Sequence, residues 1–272
     1  MIKLVVSDLD GTLLDQGQKI REEDQKALKA AKDRGADICL ASGRMQEEFT
    51  PVMETLGIPC HGVSQNGSFV RTKRNESLHV SSFPLELTQE LHDQTIGWDV
   101  FMIVCFENNL FVEEEHPYGE IVRSRLFAPI ETLPDIRKRY GREFLPCKFS
   151  YFGEMDTIKK LKAEVDFRFP GQIDTFISDK DCLDIMPAGV SKGHGLQVLV
   201  KHLGLQPKEV MCVGDAFNDV SMFDAFPDNS IAMAHAPEGV RKKARCKADS
   251  VADALRLAEQ LDRERKCIVP MK

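Results

Sequence analysis

Residues 4–14 read Leu4-Val5-Val6-Ser7-Asp8-Leu9-Asp10-Gly11-Thr12-Leu13-Leu14, an apolar run that meets two carboxylates two positions apart and then a glycine. The β-branched run from Ile2 to Val6 predicts a strand. Side chains two apart on a strand share a face, so Asp8 and Asp10 are expected to present their carboxylates together. In open α/β folds the carboxyl edge of a parallel sheet is where ligands bind. Like charges so close repel unless a cation lies between them or one takes a proton. Gly11 lets the chain turn away and leaves backbone N–H groups to face an anion. An ordinary acidic turn would use the same few residues, so the surrounding chain has to decide.

Working outward, the spacing of Ile20, Ala27, Leu28 and Ala31 predicts a helix over 20–34, ended by Gly35. Ala36 to Ala41 is apolar again, and Met45 to Leu56 reads as a second helix stopped by Gly57. Strand–helix–strand units of this length imply a parallel sheet with helices on its faces. Gln65-Asn66-Gly67-Ser68 is a turn signal, followed by a hairpin around Arg71 to Glu76.

Residues 85–186 have a different rhythm. A helix at Leu85 to Ile96 precedes strands at Val100 to Phe106 and Leu110 to Glu113. A strand at Lys148 to Phe152, a helix at Met155 to Val165, and strands at Ile173 to Ser178 and Cys182 to Met186 come later. Helix followed by paired strands, seen twice, predicts a small α+β module with one open antiparallel sheet. Glu114 to Arg142 is charged and carries no clear period. From Ser191 the alternation returns, with helices expected at Ser191 to Leu203, Asn218 to Ala225, Ala236 to Lys243 and Val251 to Leu261. Strands are expected at Val210 to Val213 and Ser230 to Ala232. The expected architecture is an α/β, Rossmann-like parallel-sheet core made of 1–84 and 187–272, with an α+β module inserted at 85–186.

The 272 residues carry 36 Lys and Arg against 43 Asp and Glu, a net charge of −7, which argues against a protein that neutralises many nucleic-acid phosphates. No stretch approaches the roughly 20 apolar residues of a membrane span, and the amino terminus lacks the apolar core of a secretory signal. Eight scattered cysteines without a C-x-x-C pair read as reduced core residues of a cytoplasmic protein. Scattered Cys and His also speak against a zinc site.

Three further segments fall at expected strand ends or helix starts. Ala41-Ser42-Gly43-Arg44 follows the second strand, where Ser42 could cap the next helix or help bind an anion at its start. Ser191-Lys192-Gly193 opens a helix, and Val213-Gly214-Asp215-Ala216-Phe217-Asn218-Asp219 follows a late strand. Alone, Lys192 would be a solvated lysine, and Asp215 and Asp219 acids near a helix start. Four acids at one sheet edge need a compensating cation, and an all-oxygen site suits Mg²⁺.

These four segments, in this order, resemble the motifs of the haloacid dehalogenase superfamily, which is dominated by magnesium-dependent phosphatases. The module's position between the second and third motifs resembles the cap of the Cof-type sugar-phosphatase branch. The resemblance implies that Asp8 attacks phosphorus to form an aspartyl-phosphate, while Asp10 acts as general acid and base. Lys192 would hold phosphate and nucleophile. Leu9, Ser42, Gly43 and Asn218 would bind the phosphate. Asp8, Asp10 through its main-chain carbonyl, Asp215 and Asp219 would form the Mg²⁺ site, Asp219 in support. Arg44 and Asn66 would line the substrate pocket.

The chain departs from the family at Met233-Ala234-His235-Ala236, where M-G-N-A is common, and His235 is expected to be a loop residue. Glu107, His116, Tyr118, Arg123 and Arg125 read as charged or polar surface. The implied partner is a small phosphorylated metabolite, with no nucleic acid or membrane, for a monomer or homodimer. Two alternatives carry other outcomes: a phosphosugar mutase or phosphotransferase, and a catalytically silent module that binds a phosphorylated ligand.

Overall fold

The computed structural model describes residues 1–126, 128–141 and 144–268, with side chains as far as Arg265. In chain order the first strands are β1 (Leu4–Ser7), β2 (Asp37–Ala41), β3 (His61–Ser64), β4 (Phe69–Arg71) and β5 (Ser77–Val80). Then come β6 (Phe101–Cys105), β7 (Leu110–Val112), β8 (Ile130–Thr132), β9 (Lys148–Phe152), β10 (Ile173–Asp179) and β11 (Cys182–Pro187). The last are β12 (Val210–Gly214), β13 (Ser230–Met233) and β14 (Cys246–Ala248). The α-helices are α1 (Glu22–Asp33), α2 (Thr50–Leu56), α3 (Leu85–Thr95), α4 (Tyr118–Arg123) and α5 (Ile136–Arg139). They continue with α6 (Met155–Arg168), α7 (Lys192–His202), α8 (Val220–Ala225), α9 (Glu238–Arg241) and α10 (Val251–Ile268).

The chain divides into two compact units, one of residues 1–44, 49–79 and 191–272 and the other of 45–48 and 80–190. The eight-stranded sheet runs β14-β13-β12-β1-β2-β3-β4-β5. Its strands from β14 to β3 are parallel, and β4 turns back antiparallel on β3. Period-2 alternation sends successive side chains to opposite faces. Val5, Ile38, Leu40, Met211, Val213 and Ile231 pack on one face with Leu28 of α1, Val52 and Leu56 of α2 and Leu255 of α10. Leu4, Val6, Cys39, Ala41, Cys212 and Ala232 pack on the other with Leu196 and Leu199 of α7 and Phe223 of α8. Burial on both faces is why these strands are nearly continuous apolar runs. Helix α1 opens with Glu22, Glu23 and Asp24 and carries Lys32 in its last turn, the arrangement its dipole favours.

The helix expected over 45–56 is two pieces, a 3₁₀ turn at Gln46–Phe49 and then α2. Pro51 has no N–H to continue a helix from before but is suited to a helix's first turn, so a new helix starts there. The helix expected from Asn218 likewise begins as a 3₁₀ turn, Phe217–Asp219. Strand β14 has three residues, too few for a periodic signal.

The second unit holds a six-stranded sheet in the order β10-β11-β9-β6-β7-β8. It is not wholly antiparallel, as expected, because β7 and β8 pair in parallel. Parallel neighbours need a crossover, and the uncharted residues 113–129 supply it with α4. Val104, Phe149, Tyr151, Leu183 and Ile185 pack against Leu91 of α3 and Ile158, Leu161 and Val165 of α6. The alternate residues Lys148, Ser150 and Asp184 are buried too, with Ser150 Oγ donating to Asp184 Oδ1 at 2.6 Å. Arg123 pairs with Glu115, Arg125 with Asp181 and His116 with Asp99 inside this unit.

Among the described residues no helix is long and apolar enough to cross a membrane. The seven cysteines with described side chains are free thiols, six of them buried. Cys267 lies outside the described side chains.

Candidate active site

Strand β1 lies between β12 and β2, and the strand order runs away from it in both directions. Such a reversal opens a crevice at the carboxyl ends of the strands. The three neighbours β12, β1 and β2 are followed there by Asp215, Asp8 and Ser42 respectively. Asp8 N–H donates to Val213 O at 3.0 Å and Ser42 N–H to Val63 O at 2.9 Å, so each residue is pinned to its neighbouring strand. The strand itself ends at Ser7, so the two-residue alternation expected to align Asp8 with Asp10 does not reach them.

Helix α7 brings Lys192 to the same edge. Ser191 caps it by accepting from His194 N–H. Close backbone approach fixes its position. A Cβ on Gly193 would lie 2.1 Å from Ser221 O, and one on Gly67 would lie 2.1 Å from Ser191 O. Gly67 also has φ +103°, a conformation that glycine adopts without strain.

Lys192 is 1% exposed, not the solvated lysine of an isolated helix start. Its Nζ donates to Asp8 Oδ1 at 2.6 Å and Asp219 Oδ1 at 2.7 Å. Asp219 Oδ2 accepts from the N–H groups of Asp215 and Ala216 at 2.8 and 2.9 Å. Asp219 thus has both carboxylate oxygens hydrogen-bonded. Asp215 Oδ1 accepts from Thr12 Oγ1 at 3.1 Å, and its Oδ2 lies 3.4 Å from His235 Nε2.

One carboxylate oxygen each from Asp8, Asp215 and Asp219 lies within 4.8 Å of the others. Three carboxylates and one ammonium leave two negative charges concentrated in a buried space. Burial, which outweighs the pull of Lys192, holds the Asp8 carboxyl well above the usual carboxylate range. Burial and then Asp219 push Asp215 up to about 6. Burial pulls Lys192 down, but Asp219 and Asp8 outweigh it and lift it above the usual lysine range. Both carboxyl shifts mark a site short of positive charge. Its oxygen-only donors are of the kind that hold a hard divalent cation such as Mg²⁺.

Asp10 is outside this cluster. Its side chain is 49% exposed and faces Arg44, whose Nε donates to Oδ2 at 2.8 Å and Nη2 to Oδ1 at 2.5 Å. Arg44 Nη2 also donates to Gln18 Oε1 at 2.7 Å. The Arg44 guanidinium, assigned from sequence to the substrate pocket, is therefore engaged with Asp10. Ser42 does not cap a helix, its Oγ accepting from Arg44 N–H at 3.2 Å.

Asn66 is 1% exposed and left-handed at φ 53°. Its Oδ1 accepts from Asn218 Nδ2 at 3.1 Å, while the buried Asn218 Oδ1 has no hydrogen-bond partner among the described residues. A Cβ on Gly43 would lie 3.2 Å from Asn66 Oδ1, so Gly43, Asn66 and Asn218 meet at one place. The Leu9 side chain is wholly buried, and its carbonyl accepts from Thr12 and Leu14 N–H groups.

Sequence reasoning assigned no role to Thr12 and Gln18 and left His235 as a loop residue. Thr12 stands inside the quoted motif and could have been found there. Gln18 has no local signal, since its contact depends on the fold of the 15–20 loop.

A doubly wound core whose carboxylates and buried lysine converge where the strand order reverses defines an α/β enzyme of the phosphate-handling kind. The chain belongs to the haloacid dehalogenase-like hydrolase family, which matches residues 5–255, and carries the α/β Rossmann-like core of that family. It is similar to HMP-PP phosphatase of Serratia proteamaculans, 28% identical over 222 residues that make up 82% of this chain and 80% of the relative. It also resembles the crystallised HAD/COF-like hydrolase of Plasmodium vivax, with TM-score 0.84 and 22% identity over 96% of each chain. A sugar phosphatase of subclass IIB aligns with TM-score 0.78 and 20% identity over 97% of this chain and 99% of its own.

Proposed function

We propose that this hydrolase is a Mg²⁺-dependent phosphatase of small phosphorylated metabolites, sugar phosphates or similar compounds, acting in the cytoplasm. The observation that carries the proposal is Lys192 bridging Asp8 and Asp219 beside Asp215, a buried cluster with two uncompensated negative charges. The compounds that name the relatives, HMP-PP and a sugar phosphate, belong to the same substrate class. The second unit is proposed to act as a cap that selects the leaving group.

Asp8, Asp215 and the carbonyl of Asp10 would hold Mg²⁺, with Asp219 supporting them; when bound, the ion neutralises charge on the substrate phosphate and the carboxylates. Asp8 Oδ attacks phosphorus as the bond to the leaving oxygen breaks, and Asp10 gives that oxygen its proton. Asp10, now a carboxylate, takes a proton from the water that attacks the aspartyl-phosphate, releasing phosphate and restoring Asp8. Lys192 keeps Asp8 oriented and offsets charge on the transferring group. Ser42, Gly43, Leu9 and Asn218 would receive the phosphate oxygens, Asn218 through the Nδ2 hydrogen not given to Asn66. The Asn218 Oδ1 acceptor, which has no partner among the described residues, would take a hydrogen bond from water or a substrate hydroxyl.

The test is phosphate release from a panel of phosphorylated metabolites, including sugar phosphates and HMP-PP, with Mg²⁺ and with chelator. Release that needs Mg²⁺ and disappears in Asp8→Asn is expected. No release from any member would overturn the proposal, and phosphate appearing on a second sugar would make the protein a phosphotransferase.

A further inference from the structure

We propose that Arg44 is a positioning residue, which acts on the reaction by fixing the carboxyl group of Asp10 and not by touching the substrate. This rests on the phosphatase function proposed above. Asp10 lies three residues past the end of β1 and its side chain is half-exposed, so little packing fixes its rotamer. Arg44 is the opposite case. Its side chain is 5% exposed, its N–H donates to Ser42 Oγ at 3.2 Å, and its carbonyl accepts from Gln65 N–H at 2.8 Å. The guanidinium reaches from this anchored backbone to both oxygens of Asp10, and Gln18 Oε1 accepts from the same Nη2.

A two-pronged guanidinium–carboxylate pair fixes direction as well as distance, which an ammonium does not. With both oxygens accepting from Arg44, Asp10 is held as the carboxylate, the form that takes a proton from the water attacking the aspartyl-phosphate. A side chain free to rotate would lose the alignment that makes this transfer fast. A guanidinium that bound substrate would have to give up this pair.

The experiment uses p-nitrophenyl phosphate and Mg²⁺ with the wild type, Arg44→Gln, Arg44→Lys, Asp10→Asn and the double variant Asp10→Asn/Arg44→Gln. In Arg44→Gln, kcat is expected to fall ~100-fold, within the range general acid–base catalysis contributes, and KM to fall with it, since slower hydrolysis of the aspartyl-phosphate lowers both. p-Nitrophenolate leaves without needing a proton, so the second step slows more than the first and a burst of about one equivalent precedes the steady state. Arg44→Lys should recover little. The double variant should be no slower than Asp10→Asn, because Arg44 acts through Asp10. Gln18→Leu should lower kcat less than Arg44→Gln.

Losses that multiply in the double variant, or a raised KM with kcat retained, would overturn the proposal and make Arg44 a substrate contact. A Tm and Mg²⁺ affinity that fall in Arg44→Gln without the burst would make it a structural residue. A wild type without turnover would overturn the phosphatase function itself, whereas an active wild type with multiplying losses overturns only the role of Arg44.

Discussion

The ammonium of Lys192 lies between two carboxylates, 2.6 Å from Asp8 and 2.7 Å from Asp219, and all three side chains are withdrawn from solvent. Removing one partner of such a buried group leaves the other charges uncompensated, at a cost of about 3–5 kcal/mol. Lys192→Met is therefore expected to lower the urea midpoint substantially and to reduce kcat ~100-fold or more. Equilibrium unfolding and steady-state kinetics check both. A variant as stable as the wild type would mean that the lysine offsets little of the acidic charge.

Asp215 carries a pH signature. Its folded carboxyl is raised to about 6, so between about pH 4 and 6 the folded chain holds more protons than the unfolded one. The contribution of this carboxyl to the stability of the ion-free protein should fall as pH rises through that window. Mg²⁺ competes with those protons and binds only the folded chain, adding about 1.4 kcal/mol at ten times its dissociation constant. The Mg²⁺-induced rise in Tm is thus expected to be larger at pH 7.5 than at pH 5 and to shrink in Asp215→Asn. Equal shifts at the two pH values would contradict the assignment.

His92 acts in the other direction, in the second unit. Its ring is buried, with Nδ1 2.6 Å from the Tyr140 hydroxyl and Nε2 3.1 Å from Glu113 Oε2, and burial lowers it to about 4. A lowered histidine contributes stability above the unfolded value near 6.5 that is lost as pH falls towards 4. His92→Gln removes the titrating group, so unfolding free energy should depend less steeply on pH between 6.5 and 4. Urea titrations across that range, followed by the near-ultraviolet signal, measure the slope.

Gly193 and Gly141 form a matched pair. A methyl group at 193 would meet the Ser221 carbonyl, whereas one at 141 meets nothing within 4 Å among the described residues. Gly193→Ala should cost about 1–3 kcal/mol through overpacking and displace Lys192, lowering kcat at least about tenfold. Gly141→Ala should stay within about 0.5 kcal/mol of wild type with unchanged kinetics.

How far the sequence could be read depended on the range of the interaction. The alternation that makes β1, β2 and β12 and the helices packed on them is local, and it identified the Rossmann-like core. Asp8, Ser42, Lys192 and Asp215 were legible as candidates because each stands at the junction of two elements. The partnership of Arg44 with Asp10 was not, since it depends on how the loops after β1 and β2 approach each other across the sheet edge. The parallel pairing of β7 with β8 was hidden for the same reason, its crossover being charged and without period. Strand alternation does not align Asp8 with Asp10, because β1 ends at Ser7 and Asp10 lies three residues beyond it.

The central position of β1 between β2 and β12 also bears on biosynthesis. β1 emerges from the ribosome first, yet its second neighbour starts at Val210. At about 5–20 residues per second, the interval between β2 and β12 is roughly ten to thirty seconds. During that time one edge of the innermost strand has no partner, while every residue of the second unit has already been made. The nascent chain is therefore expected to fold its later-encoded middle before both edges of β1 are paired, and it gains the Asp8, Lys192 and Asp215 ensemble only after Asp215 has been made.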